Sequence, residues 1–319
     1  VLCKINYLCG LIFFFFFTSN NSLKGVVLVA LGASSYGMLA TFVKLAYLED
    51  FTTAEITTSQ FVLGILGILL VNLFQRKSQA TVAKKASKKN IFQLMLAGTS
   101  LGMTSVFYYL CVKYIDVSIA IVLLMQTVWM GVILEWILDK KQPSLQKIVA
   151  VFMVLAGTIM ATNMIENSNS IDFRGVFWGL LSAMSFTTTM FTANRIATDI
   201  SSSQRSLYML LGGAVIVFGF GFFTQITPFN FSIFWKWGIA LSLFGTIIPP
   251  LLMNAGFPIT GIGLGSIVSA LELPVSVLMA YFLLAEKVVL VQWVGILLIL
   301  LAIVLMNRTV PFLSKKNIE

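Results

Sequence analysis

Residues 261–307 read GIGLGSIVSALELPVSVLMAYFLLAEKVVLVQWVGILLILLAIVLMN. Two apolar runs, 261–284 and 289–307, are parted by Ala285-Glu286-Lys287. Each run approaches the length of about 20 apolar residues that an α-helix needs to span a bilayer. Neither carries a charge except Glu272, near the middle of the first. Two spanning helices joined by a tight charged turn is the reading that satisfies every backbone amide in lipid.

The rest of the chain repeats that pattern. Hydrophobic residues make up 58% of the 319 and charged residues 10%, and the mean hydropathy is +0.95. A soluble domain carries about 25% charged residues, so too few charges remain here to cover a wetted surface. Apolar stretches bounded by charges or turn residues predict spans at 24–45, 55–75, 91–112, 117–138, 146–164, 173–194, 206–226, 235–257, 261–284 and 289–307. The expected fold is an all-α integral membrane protein of ten transmembrane helices.

Charge placement orients it. With the start of the first span cytoplasmic, that side collects Lys4, Lys24, Arg76, Lys77, Lys84, Lys85, Lys88, Lys89, Lys140, Lys141, Lys147, Arg195, Arg205, Arg308, Lys315 and Lys316. These are sixteen of the 21 basic residues. The other side keeps Lys44, Lys113, Arg174, Lys236 and Lys287 with the acidic Glu49, Asp50 and Glu55. The positive-inside rule then puts both termini in the cytoplasm of a multi-pass protein of the inner or plasma membrane. The net charge of +9 is accounted for by topology, and no nucleic-acid partner is expected. Lys4 and the apolar stretch 5–17 resemble the start of a signal peptide, but no small-residue cleavage site follows. Segment 1–22 is assigned no function.

Cys3, Cys9 and Cys111 stand singly and histidine is absent, so the spacing implies no disulfide framework or metal site, and no cofactor is expected.

The chain also matches itself. Lys24-Gly25-Val26, Ala33, Ser35 and Tyr36 align with Arg174-Gly175-Val176, Ala183, Ser185 and Phe186, an offset of 150. Later the offset becomes 146, pairing Gln146 with Gln292, Gln126 with Glu272 and Tyr108 with Asn254. Units 23–164 and 173–308 each hold five predicted helices, with 309–319 as a cytoplasmic tail. An odd number inverts the second unit relative to the first, the inverted-repeat plan of secondary carriers whose substrate site lies at the midplane.

Two segments carry a family resemblance. SLKGVVLVALGASSYGMLATFVKL and AEITTSQFVLGILGILL resemble the opening of EamA-type carriers of the drug/metabolite transporter superfamily. In the closing segment Pro274, Ala285-Glu286, Gln292 and Gly295 fill the places where that family has a proline, a Gly/Ala-Glu pair and a last helix with early Gln and Gly. The first repeat departs from the pattern, with Val128 in place of proline and Lys140 in place of the acidic residue. The resemblance implies ten helices, both ends inside, and transport of small metabolites or drugs, usually outward.

Glu272 is the foremost candidate for substrate binding or coupling. A charge at a helix centre in the bilayer costs about 2.5–3.5 kcal/mol on insertion scales, so it should face the bundle interior or an aqueous cavity. Pro274, two residues on, removes a backbone donor and should kink the helix by disturbing the bond to the Ala270 carbonyl. Gln126, Asn254 and Tyr108 occupy repeat-related places, and Tyr36 and Trp129 offer rings for stacking. Glu135 and Glu286 lie near span ends, where an ion pair or turn role is expected. An amide or aromatic at any of these places can equally pack helix on helix.

The expected function is secondary transport of a small organic solute (metabolite, amino acid or drug) by alternating access, in the efflux direction, with protons as a possible coupling ion. A passive channel-like or uniport pathway stays open as an alternative, and so does an intramembrane enzyme. Against the enzyme, the chain has no histidine, no GxSxG and no GxxxxGK[ST].

Overall fold

The computed structural model describes residues 21–78, 86–115, 117–140, 142–162, 172–283 and 288–307. The expectations for segment 1–20, Lys84, Lys85, Lys141, Glu286 and the tail 309–319 concern residues outside these. The described residues are almost entirely helical, without a strand. In chain order the helices are α1 (Asn21–Leu48), α2 (Thr53–Ser78), α3 (Lys88–Tyr114), α4 (Val117–Leu124), α5 (Thr127–Asp139), α6 (Leu145–Ala161), α7 (Phe173–Arg195) and α8 (Ser202–Thr224). After two π-helical turns, Phe234–Gly238 and Leu243–Ile247, come α9 (Ile248–Ser269), α10 (Glu272–Leu283) and α11 (Leu290–Asn307).

Helix starts follow local chemistry. Thr52 and Glu55 form a capping box, in which the Glu55 N–H donates to Thr52 Oγ1 and the Thr52 N–H donates to Glu55 Oε2 at 2.8 Å. Ser87, Ser144, Asp172 and Ser201 cap α3, α6, α7 and α8 through their side-chain oxygens, each such cap contributing about 1 kcal/mol.

Among the described residues seven stretches are long and apolar enough to cross a membrane, and α6 and α11 are shorter apolar helices. One stretch, Phe234–Leu283, runs for 50 residues, but it is not a single rod. Gly261 has φ 76° and ψ 173°, a conformation open to glycine and strained for other residues. A Cβ built on Gly265 would meet Phe257 Cδ1 at 2.6 Å, whereas eight residues of unbroken helix would separate them by about 12 Å. The chain therefore turns back at Gly261.

Large apolar side chains such as Phe74, Phe92, Phe173, Phe222, Phe223 and Trp235 are exposed over the outer surface, as expected where lipid is the solvent. Inside, Val29, Ala33, Met125, Val128, Met190, Met253, Phe257 and Ile299 belong to one core cluster that joins α1, α4, α5, α7, α9 and α11.

Contacts between the two halves come in related pairs. Gln146 Nε2 donates to the Leu305 carbonyl, and Gln292 Nε2 donates to the Ala161 carbonyl at 3.1 Å. Around them α6 and α11 cross backbone to backbone at Gly157 and Gly295. The aligned residues Tyr36 and Phe186 meet edge to face, 6.1 Å between centroids. The two breaks are related as well. The helical path is interrupted at Met125-Gln126 between α4 and α5, and at Ala270-Leu271 between α9 and α10. Gln126 and Glu272, 146 residues apart, thus both sit at an interruption.

Candidate functional site

A cavity of about 70 Å³ lies among α1, α2, α3, α7 and the second π-helical turn. On α1 its lining runs from Tyr36 to Val43, on α2 it includes Gln60, and on α3 it runs from Leu101 to Tyr109. These positions share one end of the bundle, the end of Leu48 and Tyr114. At its deep side, halfway along the bundle, lies Glu272.

Glu272 opens α10 and is 9% exposed. Among the described residues no group donates a hydrogen bond to its carboxyl. A buried carboxylate normally gathers such donors, because desolvation otherwise opposes its charge. Two aromatic lining residues are similarly unengaged: the hydroxyls of Tyr36 and Tyr108 have no hydrogen-bond partner among the described residues. The wall beside them is held rigidly. Tyr109 Oη donates to Gln60 Oε1 at 3.1 Å, and Thr246 Oγ1 donates to the Gln60 carbonyl at 3.0 Å. Thr246 lies in the π-helical turn Leu243–Ile247, whose Gly245 also lines the cavity. Such turns widen a helix by one residue and commonly mark functional sites.

Of the residues singled out from sequence, the structure brings Glu272, Tyr36 and Tyr108 together at this cavity. Four others lie elsewhere. Trp129 Nε1 donates to Gln126 Oε1 at 2.9 Å while Gln126 Nε2 donates to the Val122 carbonyl, so the pair closes on itself at the α4–α5 break. Asn254 is buried and its Nδ2 donates to Ser206 Oγ at 2.9 Å, which ties α9 to α8. Pro274 lies in the first turn of α10 and faces a carbonyl already engaged, since the Leu273 N–H donates to Ala270 O at 3.2 Å. The interruption at Ala270-Leu271 precedes the proline, and its counterpart at Met125-Gln126 has no proline at all.

Sequence reasoning missed Gln60, Tyr109, Thr104, Ser105 and Thr246. Gln60 carried a usable signal, an amide inside an apolar span, whereas hydroxyls in such spans are too common to single out.

Comparison with known proteins decides the family. The model of the EamA-like transporter family matches residues 23–163 and again 173–308. The chain belongs to the EamA-like transporter family. It is therefore a multi-pass membrane protein with the fold of carriers for small solutes. A solved crystal structure of a protein is similar with a TM-score of 0.72 over 90% of this chain and 97% of its own, at 13% identity, a likeness of fold alone. No curated protein sequence matches the chain significantly.

The two ends of this EamA chain carry different chemistry. At the end of Asn21 and Gly261, Asp139 pairs with Arg195 and Glu135 with Lys147. Glu135 thus has the ion pair expected of it, with its carboxylate over Gly263. Arg205, expected in a loop, is found inside α8 and only 2% exposed. Its guanidinium donates to the carbonyls of Ala193, Ile196 and Asn254 and so joins α7, α8 and α9. At the other end Glu49 pairs with Lys236 at 2.8 Å. There the buried Glu55 accepts from the Asn230 N–H at 2.7 Å and from Gln225 Nε2 at 3.2 Å.

Proposed function

We propose that this protein is a secondary carrier that moves a small organic solute across the cytoplasmic membrane by alternating access, in the efflux direction, with Glu272 as the solute-binding or coupling group. The observation that carries the reading is a buried carboxyl without a hydrogen-bond donor among the described residues, at a helix interruption, on the wall of a central cavity. Interrupted helices at the interface of two repeats are where secondary carriers bind substrate and coupling ions. Ten spans are reached by dividing Phe234–Leu283 at Gly261 and counting α6 and α11 as crossings. Five per repeat then makes the repeats antiparallel, and the paired glutamine and helix-break contacts support that arrangement.

The positive-inside bias assigns the Arg205 end to the cytoplasm. The cavity then extends toward the outer face, while the ion pairs and Arg205 close the inner one. In this conformation its volume accommodates roughly five waters, at 10–15 Å³ each, so solute entry requires the walls to part. A central cavity between repeats favours a carrier over a channel, which needs a continuous lined pore.

The test compares small molecules outside cells that express the wild type, Ala40→Trp or an empty membrane. Ala40 lines the cavity, and an indole there fills it. The carrier reading expects a limited set of solutes to accumulate with the wild type and to fall to the control level with Ala40→Trp. Equal accumulation in all three, with both proteins confirmed in the membrane, would contradict it.

A further inference from the structure

The charge and lining of this cavity narrow the class of solute. Its wall contains one ionisable acid, Glu272, and no lysine or arginine. The same wall carries the rings of Tyr36, Tyr108, Tyr109, Phe61 and Phe186. The basic groups nearest the cytoplasmic end are already engaged. Arg195 and Lys147 are in ion pairs, and Arg205 is bound to three carbonyls.

We infer that the solute is a small organic cation, a protonated amine on an apolar or aromatic body, whose ammonium pairs with Glu272 between the tyrosine rings. The inference rests on the carrier reading and adds the charge and shape of what is carried. Three pieces of chemistry converge on it. A buried carboxylate without donors is completed by a ligand that brings N–H donors of its own and the opposite charge. The aromatic faces attract a desolvated ammonium through their quadrupoles, which an anion or a neutral group does not exploit. The free hydroxyls of Tyr36 and Tyr108 can accept from the remaining N–H groups or donate to a polar substituent on the body. An anionic solute would meet Glu272 with no compensating cation in the wall. Leu39, Ala40, Val43 and Leu101 supply the apolar surface for the body.

The experiment measures binding to the purified full-length carrier in lipid nanodiscs by calorimetry, with three probes of similar shape: 2-phenylethylammonium, 2-phenylethanol and phenylacetate. The ammonium should bind about tenfold tighter than the alcohol, and phenylacetate should not bind saturably. In Glu272→Gln the ammonium should weaken to the affinity of the alcohol, while Glu272→Asp keeps the preference for the cation. Folding of each variant is checked by its unfolding midpoint. Stronger binding of phenylacetate or of the alcohol overturns the inference. So does an ammonium preference that survives in Glu272→Gln, or the absence of binding by all three probes. The two readings fail separately. If wild-type cells export solutes that are only neutral or anionic, the cation class falls and the carrier stands. If no solute depends on the protein, the carrier reading itself falls.

Discussion

Glu272 sits where hydropathy alone marks it, yet the side chains that give it a setting were only partly visible from sequence. A charge in an apolar run stands out because lipid penalises it. An aromatic among 27 phenylalanines and 8 tyrosines does not, since packing and solute contact use the same rings. Tyr36 and Tyr108 were identified through the repeat, whereas Gln60 and Tyr109 were not, because their repeat partners have no distinctive chemistry. Two predictions belong at this scale. Tyr108→Phe should lower transport while leaving the unfolding midpoint within the error of the wild type, because its hydroxyl bonds to no described residue. Transport assays beside thermal unfolding check this. Trp129→Phe should do the reverse. It removes the bond to Gln126, worth about 1 kcal/mol, and leaves solute affinity unchanged in a binding titration.

At the level of elements, the helices themselves were legible because continuous apolar runs of about 20 residues have few other readings. Their interruptions were not. A break such as Met125-Gln126 replaces an i−4 bond with an i−3 bond, as in Gln126 N–H to Leu123 O at 3.1 Å, and leaves the apolar pattern intact. Pro274 has no N–H for the Ala270 carbonyl, which accepts from the Leu273 N–H instead, while the related break at Met125-Gln126 forms without a proline. The apolar pattern starts the span at 206 and so leaves Arg205 in a loop. The pattern Ser201-x-x-Gln204, with Ser201 Oγ accepting from the Gln204 N–H at 3.3 Å, was the available start signal. Arg205→Met would strand three carbonyls, at about 1–3 kcal/mol for each buried group left unsatisfied. The expected outcome is a lower unfolding midpoint together with faster thiol labelling of a cysteine placed at Ser266. An unchanged midpoint and labelling rate would remove Arg205 from the inner closure. Gly213→Val tests the α3–α8 crossing. A Cβ at Gly213 would come within 3.1 Å of the Gly102 nitrogen and the Gly98 carbonyl, backbone that cannot swing aside. The variant should fail to reach wild-type levels in the membrane, as measured by quantitative blotting.

For the whole molecule, the charge bias along the sequence and the asymmetry of the structure address the same question from different sides. On the proposed topology the lysines and arginines mark the cytoplasmic face, and the cavity and its seals mark that face as the closed one. A carrier that alternates must visit the opposite state, in which the Asp139–Arg195 and Glu135–Lys147 pairs part and the end that holds the Glu49–Lys236 pair draws in over the cavity. Both sets of contacts are modest, since exposed ion pairs contribute about 0–1 kcal/mol, as an equilibrium between two faces requires. Alternation is tested most directly by a single cysteine at Ser105, on the cavity wall, with Cys3, Cys9 and Cys111 replaced by serine. A membrane-impermeant thiol reagent is applied to right-side-out and to inside-out vesicles. The account predicts modification from both faces, lost from the inner face but kept from the outer one when Asp139→Cys is cross-linked to Arg195→Cys, and reduced on both by Ala40→Trp. Modification from one face only, whatever solute is supplied, would contradict it.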